Sequence, residues 1–326
     1  MLLASESLTI AARETPIMCG IVGLFLKDEG LQAQLGTMLT DMLITMTDRG
    51  PDSAGIAIYG QETPGRAKLT MQSANPGTDF DALDTVLGEA LGGKVAVRVK
   101  DTHAVLELPQ DQISAARAAL VQLRPSIRVM SHGETVEIYK EVGLPRDVAA
   151  RFDLRQMTGT HGIGHTRMAT ESAVTTMGAH PFNTGSDQCL VHNGSLSNHN
   201  SLRRRLRRLG VHIETENDTE VGAAYLTWKM QNGATLGEAL QSSLDDLDGF
   251  FTFVVGTKDG FGVVRDPIAC KPAVMAETDQ YVAFGSEYRA LVDLPGIEDA
   301  RVWEPEPATV YFWSHGSDPN SSEKAA

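Results

Sequence analysis

The apolar positions along this chain fall into short continuous or alternating runs and into longer stretches with helical spacing. Residues 19–26 are continuously apolar, which predicts a buried strand. From Leu31 to Met46 the apolar residues recur every three or four positions, which predicts an amphipathic helix. Further strands are predicted at 55–59, 95–108, 127–142 (two strands and a turn), 189–196, 250–255, 262–265, 273–276, 281–284 and 309–313. Further helices are predicted at 113–123, 197–209, 221–231 and 236–247.

Strands therefore outnumber helices, and they follow one another in pairs of the antiparallel type. This order predicts an α+β fold in which two sheets pack face to face between two layers of helices. Residues 19–80 and 151–313 are assigned to this domain. A polar stretch at 61–80 suggests a boundary, so residues 81–150 are predicted to form an inserted small αβ subdomain. The polar tail, residues 314–326, is predicted to be disordered.

Composition and charge narrow the classes of function. The chain has 326 residues, of which 42% are hydrophobic and 21% charged, as in folded soluble proteins. Its net charge of −14 argues against binding to nucleic acid or to anionic membranes. No apolar run approaches the roughly 18 residues that a transmembrane helix needs.

The three cysteines cannot all pair with one another, and none has C-x-x-C spacing; they are Cys19, Cys189 and Cys270. This argues against a disulfide framework or a thiolate zinc site and favours a cytoplasmic location. His161 and His165 are four residues apart, but the glycines between and beside them disfavour a helix that would turn both towards one ion. No metal site is therefore expected.

Residues 1–18 precede the first cysteine. They have no basic start and no continuous apolar core, so they do not resemble a secretory signal. Two alternatives remain: a removable propeptide, or a start codon assigned upstream of a true start at Met18. Cleavage between Met18 and Cys19 would leave a thiol and a free α-amine on one residue, which would supply a nucleophile and a base together.

Several short segments, each a weak signal alone, resemble in their order the class II glutamine amidotransferase domain, an N-terminal-nucleophile hydrolase with an αββα fold. They are Met18-Cys19-Gly20-Ile21-Val22-Gly23, Arg49-Gly50-Pro51-Asp52, Gly164-His165-Thr166-Arg167-Met168-Ala169-Thr170, His192-Asn193-Gly194 and Asn217-Asp218-Thr219-Glu220. Asp248-Gly249-Phe250, Arg265-Asp266-Pro267 and Gly285-Ser286-Glu287 resemble later signatures of that family. The resemblance covers about 19–75 and 155–310.

The resemblance implies attack by the Cys19 thiolate on the side-chain amide of glutamine. Asn193 and Gly194, which alone would indicate a tight turn, are then expected to donate hydrogen bonds to the resulting oxyanion.

The remaining site residues are assigned to substrate binding. The planar guanidinium of Arg167 suits the α-carboxylate of glutamine, and the carboxylate of Asp218 suits its α-ammonium. Thr170 and His180 are expected near the substrate from the resemblance alone. Arg49 is expected to position or electrostatically support the thiolate.

The sequence has no G-x-x-x-x-G-K-[ST] and no G-x-G-x-x-G segment, so no cofactor is expected in this chain. The ammonia acceptor is expected on a separate synthase subunit. Among stand-alone subunits the chain is most similar to the amidotransferase subunits of N-methylglutamate synthase-type, glutamate-synthase-related complexes, which suggests FMN and iron–sulfur centres on that partner. Two alternatives stay open: an amidohydrolase acting on another amide, and a catalytically silent assembly subunit.

Overall fold

The computed structural model describes residues 18–169, 173–315 and 323–324. The strands are β1 (Gly20–Leu26), β2 (Ser53–Tyr59), β3 (Arg66–Gln72), β4 (Ala96–Lys100), β5 (His103–Pro109), β6 (Arg128–Gly133), β7 (Val136–Val142), β8 (His161–Arg167), β9 (Phe182–Gly185), β10 (Gln188–Leu196), β11 (Gly249–Gly256), β12 (Gly260–Arg265), β13 (Val274–Glu277), β14 (Tyr281–Gly285), β15 (Arg301–Trp303), β16 (Thr309–Ser314) and β17 (Glu323–Lys324). The helices are α1 (Leu35–Thr45), α2 (Pro76–Asp79), α3 (Leu83–Leu91), α4 (Ile113–Leu123), α5 (Pro145–Arg151), α6 (His199–Arg208), α7 (Asp218–Gln231) and α8 (Leu236–Asp246).

The first strand lies in the middle of a seven-stranded sheet with the order β15-β13-β14-β1-β8-β2-β7. It pairs antiparallel with β8 on one side, where Gly20 lies opposite Thr166, and with β14 on the other, where Val22 lies opposite Gly285. Every residue of β1 is buried, because layers cover both faces of this sheet. The continuous apolar run at 19–26 reflects this double burial.

A six-stranded sheet with the order β17-β16-β12-β11-β10-β9 packs face to face on the first sheet. The core between them is built by alternate residues of both sheets, among them Ile21 and Phe25 from β1 and Val254 and Phe261 from the opposite sheet. These side chains are at most 3% exposed. The two sheets therefore share one continuous apolar interior.

Helices cover both outer faces of the sandwich. The apolar side of α1 packs on the outer face of the seven-stranded sheet, together with residues of α5. The helices α6, α7 and α8 pack on the outer face of the six-stranded sheet. The predicted arrangement of two sheets between two helical layers is confirmed.

The inserted subdomain is a four-stranded sheet with the order β4-β5-β3-β6, and α3 and α4 share its apolar core. Its limits differ from the expected 81–150. The strand β3 begins at Arg66, inside the stretch assigned to a boundary. Its Leu69 and Met71 pack against the helices, and Thr70 on the other face is buried beside β7. The strand β7 pairs with β2 and belongs to the main sandwich.

The insert is joined to the sandwich by buried polar contacts. The carboxylate of Asp187, in the turn between β9 and β10, accepts hydrogen bonds from the backbone N–H groups of Glu134, Thr135 and Val136 at 2.7–3.0 Å. Lys68 of the insert pairs with Glu137 of β7 at 3.0 Å. These contacts fix the insert beside β9.

Other expectations also differ from the structure. The segment 95–108 forms two strands, because the chain turns at Asp101 with φ of +52°. In the tail assigned to disorder, Ser314 ends β16 and residues 323–324 pair with that strand. Residues 316–322 and 325–326 lie outside the described residues, and the expectation for them stays a prediction. No helix in the described ranges is both long and apolar enough to cross a bilayer.

Candidate active site

Cys19 lies immediately before β1, where residues of both sheets contact it. Its carbonyl oxygen accepts a hydrogen bond from Arg49 Nε at 3.1 Å and another from Asn193 Nδ2 at 3.1 Å. Arg49 precedes β2 of the seven-stranded sheet, whereas Asn193 belongs to β10 of the six-stranded sheet. The backbone of Cys19 is thus held from both sheets.

A second set of contacts fixes the start of β1. The N–H of Ile21 donates to Ser286 Oγ at 2.9 Å, and the N–H of Ser286 donates to the carbonyl of Ile21 at 2.9 Å. The next residue, Glu287, pairs with Arg49 Nη1 at 2.5 Å. Ser286 and Glu287 had no predicted role. In the structure they support the backbone that carries Cys19.

One cavity of about 680 Å³ opens beside the Cys19 side chain. Its lining brings together six of the residues assigned from the sequence: Cys19, Arg167, His180, Asn193, Gly194 and Asp218. Arg49 is not among the described lining residues, and its Nε donates to the carbonyl of Cys19, a position that fits the expected support of Cys19. Its assignment to substrate binding stays a prediction. Thr170 lies outside the described residues, and its role stays a prediction.

The Asn-Gly pair lies within β10 and does not form the hairpin turn that the dipeptide alone suggests. Gly194 has φ of +146°, and a Cβ added there would lie 2.0 Å from the carbonyl oxygen of Phe250 on the paired strand β11. Only glycine fits this close approach. One N–H of the Asn193 amide is used by Cys19, and the amide group has a second N–H available for an oxyanion.

The Cys19 thiol has competing influences on its ionisation. Burial raises its pKa, while the positive charges of Arg167 and Lys271 act in the opposite direction. Its Sγ lies 3.8 Å from the carbonyl of Met168. Because a thiol with a raised pKa is a poor nucleophile at neutral pH, this site needs a base close to the sulfur.

A cluster of buried imidazoles forms one wall of the cavity. His180 Nε2 lies 2.7 Å and His192 Nδ1 3.0 Å from the hydroxyl of Thr219. Burial lowers the pKa of both histidines, and it lowers the pKa of the adjacent His165 to about 3, so all three are neutral near pH 7. A hydroxyl donates one hydrogen, so at least one of the two imidazoles must donate to Thr219, which restricts the tautomers.

Asp218 is the first residue of α7, and its carboxylate reaches the cavity. Its Oδ2 accepts a hydrogen bond from the backbone N–H of Leu196 at 2.9 Å. The cap of this helix is Asn217, whose side chain accepts from the N–H of Thr219. Asp218 is therefore available to a cationic group of a ligand.

Lys271 is a cavity residue that the sequence analysis missed. It lines the cavity, and its Nζ lies 3.6 Å from the sulfur of Met18, which lines the cavity as well. No recognisable motif surrounds this lysine, and only the fold brings the segment after β12 to Cys19. With Arg167 it makes the surroundings of the thiol electropositive, which favours an anionic sulfur or an anionic ligand.

Comparison with known proteins agrees with this geometry. Residues 165–293 match the model of the glutamine amidotransferase domain. The glutamine amidotransferase-like protein GlxB of Rhizobium meliloti (strain 1021) is 71% identical over 298 residues, which is 91% of this chain and 99% of that protein. The chain belongs to the glutamine amidotransferase family. A putative glutamine amidotransferase of Methanothermobacter thermautotrophicus is 34% identical over 90% of this chain and 99% of its own length.

Longer amidotransferases match over part of their length. A glutamine–fructose-6-phosphate aminotransferase of Vibrio vulnificus is 36% identical over 116 residues, 19% of that protein. The solved glutamine phosphoribosylpyrophosphate amidotransferase of B. subtilis superposes with a TM-score of 0.58 at 19% identity over 91% of this chain, which spans about half of the solved chain. This likeness confirms that the chain has the N-terminal-nucleophile hydrolase fold.

Proposed function

We propose that this protein hydrolyses the side-chain amide of glutamine through Cys19 and delivers the ammonia to a separate synthase subunit. The observation that carries the proposal is the single cavity that joins the thiol to Arg167 and Asp218. A guanidinium and a carboxylate suit the two charged groups of an amino acid, which leaves the side-chain amide for the sulfur. Family membership supports the same substrate.

The base in this mechanism is the α-amine of Cys19, released when the chain is cut after Met18. An α-amine has a pKa of about 7.7–8.0, so part of it is unprotonated near neutral pH. Met18 lines the catalytic cavity beside Lys271, and its removal would clear space next to the sulfur. The amine accepts the thiol proton, directly or through a water, and later protonates the departing ammonia.

Attack of the sulfur on the amide carbon produces a tetrahedral oxyanion. The second N–H of the Asn193 amide and the backbone N–H of Gly194 donate to this oxygen. Collapse releases ammonia and leaves a γ-glutamyl thioester on Cys19, which water then hydrolyses to glutamate and a free thiol. His180 and His192, both neutral, shape the wall of the cavity without adding a charge.

We propose that the ammonia acceptor lies on another polypeptide, in an N-methylglutamate synthase-type complex whose synthase subunit carries FMN and an iron–sulfur centre. The absence of a nucleotide-binding segment of either recognised type from the sequence supports a separate acceptor. The cysteine usage supports a cytoplasmic location for this complex, because three unpaired cysteines suit a reducing compartment.

Two alternatives are separated from this proposal by experiment. The purified protein, with its N-terminus verified by mass, is assayed for glutamate and ammonia production from glutamine, asparagine and simple amides. We expect turnover of glutamine alone, abolished in Cys19→Ser and retained in the control Cys270→Ser, whose side chain is exposed. Turnover of simple amides would indicate another amidohydrolase, and no turnover by a chain that begins at Cys19 would indicate a silent subunit.

A further inference from the structure

A second cavity, of about 700 Å³, lies between the insert and α7. Its walls include Arg117 of α4, Met130 of β6, Phe182 of β9 and Trp228 of α7. The catalytic mechanism proposed above does not use this space. Its volume is within the range of pockets that bind small metabolites.

The two cavities share a wall. Asp218 and Thr219 line the catalytic cavity, and the next residue of α7, Glu220, lines the second one. His180 lines the catalytic cavity, and Phe182, two residues later, lines the second. A ligand in the second cavity would therefore contact the same short segments that shape the catalytic cavity.

Lys140 of β7 is a buried cation at this wall. Its side chain is 3% exposed and lines the second cavity. Its Nζ donates to the carbonyl oxygens of Ala179 at 2.8 Å and Pro181 at 3.1 Å, on either side of His180. An ammonium has three N–H groups; within the described residues the third has no hydrogen-bond acceptor, and Nζ lies 4.5 Å from the ring centroid of Phe182, which also lines this cavity. Burial lowers the pKa of Lys140 to about 8, while the carboxylates of Glu220 and Glu214 act in the opposite direction.

The acidic residues of the second cavity already have partners. Glu220 accepts hydrogen bonds from the backbone N–H groups of Glu214 and Thr215 at 2.7 and 2.6 Å. The carboxylate of Glu214 lies 3.5 Å from His212. The two cations that line this cavity, Lys140 and Arg117, have fewer hydrogen-bond partners within the described residues.

Arg117 of the insert is one of these cations. Its Nη1 lies 3.4 Å from the ring nitrogen of His132, and burial lowers the pKa of His132 to about 4. That imidazole is therefore neutral, and the guanidinium retains N–H groups that can bind an anion.

We propose that the second cavity binds a small organic anion, a carboxylate or a phosphate on an apolar body, and that this ligand modulates glutamine binding. The anionic group contacts Lys140 from the sandwich and Arg117 from the insert. The apolar body contacts Met130, Phe182 and Trp228.

The coupling has a physical route. An anion at Lys140 Nζ accepts the third N–H of the ammonium while the other two stay on the carbonyls beside His180, so one charged group links the ligand to this segment. The wall formed by Ala179, His180 and Pro181 then becomes more rigid, and glutamine binds to a better-ordered cavity. The coupling is reciprocal, so glutamine must strengthen anion binding by the same factor. This half of the proposal rests on the proposed function; binding of the anion does not.

Calorimetry with phenylacetate and phenyl phosphate, each titrated to about 10 mM, tests the binding. We expect saturable binding of one molecule per chain, and the tighter of the two probes identifies the head group. Arg117→Gln and Lys140→Met should each weaken binding about tenfold or more. The matched control Arg128→Gln changes an exposed arginine of the insert outside the cavity and should bind normally.

Arg167→Lys should also bind the probes normally, which places the probe outside the catalytic cavity. No saturable binding of either probe, or binding lost in Arg167→Lys and retained in Arg117→Gln, would overturn the proposal. If Lys140→Met does not fold, Arg117→Gln alone decides, since it changes an exposed side chain.

The coupling is tested by glutamine affinity in Cys19→Ser, measured with and without the bound probe. We expect tighter glutamine binding with the probe, by severalfold, and the same factor for the probe with glutamine. Equal affinities would overturn the coupling and leave the binding result intact. Glutamine binding without turnover in the wild type would instead contradict the proposed function alone.

Discussion

Gly194→Ala is the substitution that most directly tests the geometry of the oxyanion site. The added Cβ would lie 2.0 Å from the carbonyl oxygen of Phe250 and 2.8 Å from Cα of Phe251. Ordinary contact begins near 3.4 Å, so β10 and β11 must separate by roughly 1.4 Å at this point. The nearest obstacle is the backbone of β11, and no side-chain rotation can relieve it.

Two costs follow from this collision. A residue with a Cβ at φ of +146° has a strained backbone, which costs about 1–3 kcal/mol of stability. The forced displacement also moves the N–H of Gly194 away from the oxyanion, and loss of one such donor costs on the order of 10²–10³ in kcat. We therefore expect a folded enzyme with a kcat for glutamine lowered by that factor and a KM changed much less.

Gly143→Ala is the matched control. Gly143 has φ of +126°, and a Cβ there meets no heavy atom within 4 Å, so this variant has the backbone strain without the collision. Glutaminase kinetics and urea unfolding are measured on both variants. A loss of stability in both and a loss of kcat in Gly194→Ala alone is expected. Wild-type kcat in a folded Gly194→Ala would refute the assignment of Gly194 to the oxyanion site.

Three further predictions concern other parts of the site. Arg167→Lys replaces two parallel hydrogen bonds with one point charge and should lower kcat/KM for glutamine by about 10–100-fold. An unchanged kcat/KM in steady-state kinetics would contradict the role of Arg167 in binding the α-carboxylate. Glu287→Gln weakens the support of Arg49 behind Cys19 and should lower kcat about tenfold with KM unchanged; the same kinetics with only KM raised would contradict a positioning role. Lys140 is deprotonated above a pKa of about 8 when folded, but unfolded lysine keeps its proton to about 10.4. The unfolded state then binds more protons, so the free energy of unfolding should rise between these pH values by up to about 3 kcal/mol relative to Lys140→Met. Urea unfolding at several pH values measures it, and the same pH dependence in both proteins would contradict the prediction.

The sequence was sufficient for the layers of the fold because apolar periodicity reports which faces are buried. The run at 19–26 and the spacing from Leu31 to Met46 predicted β1 and the helix packed on it. The limits of the insert were not predictable in this way. The strand β3 is rich in polar residues although most of it is buried, and β7 is assigned to the sandwich by its pairing with β2, which only the folded chain reveals.

The site was predictable where residue chemistry is specific and less so where position decides. The family resemblance implied glutamine as the substrate, and Cys19, Arg167 and Asp218 suit distinct groups of that molecule. The structure places the three residues around one cavity. Arg49 carries the same charge as Arg167, but its position behind Cys19 gives it a supporting contact. Lys271 had no sequence signal at all, because the fold alone brings it to the thiol.

The buried polar contacts also depended on three-dimensional placement. Thr219 was given no role of its own from the sequence, yet its hydroxyl lies between His180 and His192. Lys140 would ordinarily be assigned to a solvated strand face, since lysine is seldom fully buried. Its position under the segment that carries His180 follows from the pairing of β7 at the edge of the seven-stranded sheet.

The central claim is that Cys19, with a free amino terminus, attacks the glutamine side chain. Mass spectrometry of the native protein after exposure to 6-diazo-5-oxo-L-norleucine, an electrophilic glutamine analogue, tests it most directly. The account predicts a chain that begins at Cys19, with one adduct on the Cys19 sulfur and protection by glutamine. An adduct on Cys270, or a mature chain that retains Met18 and still hydrolyses glutamine, would contradict it.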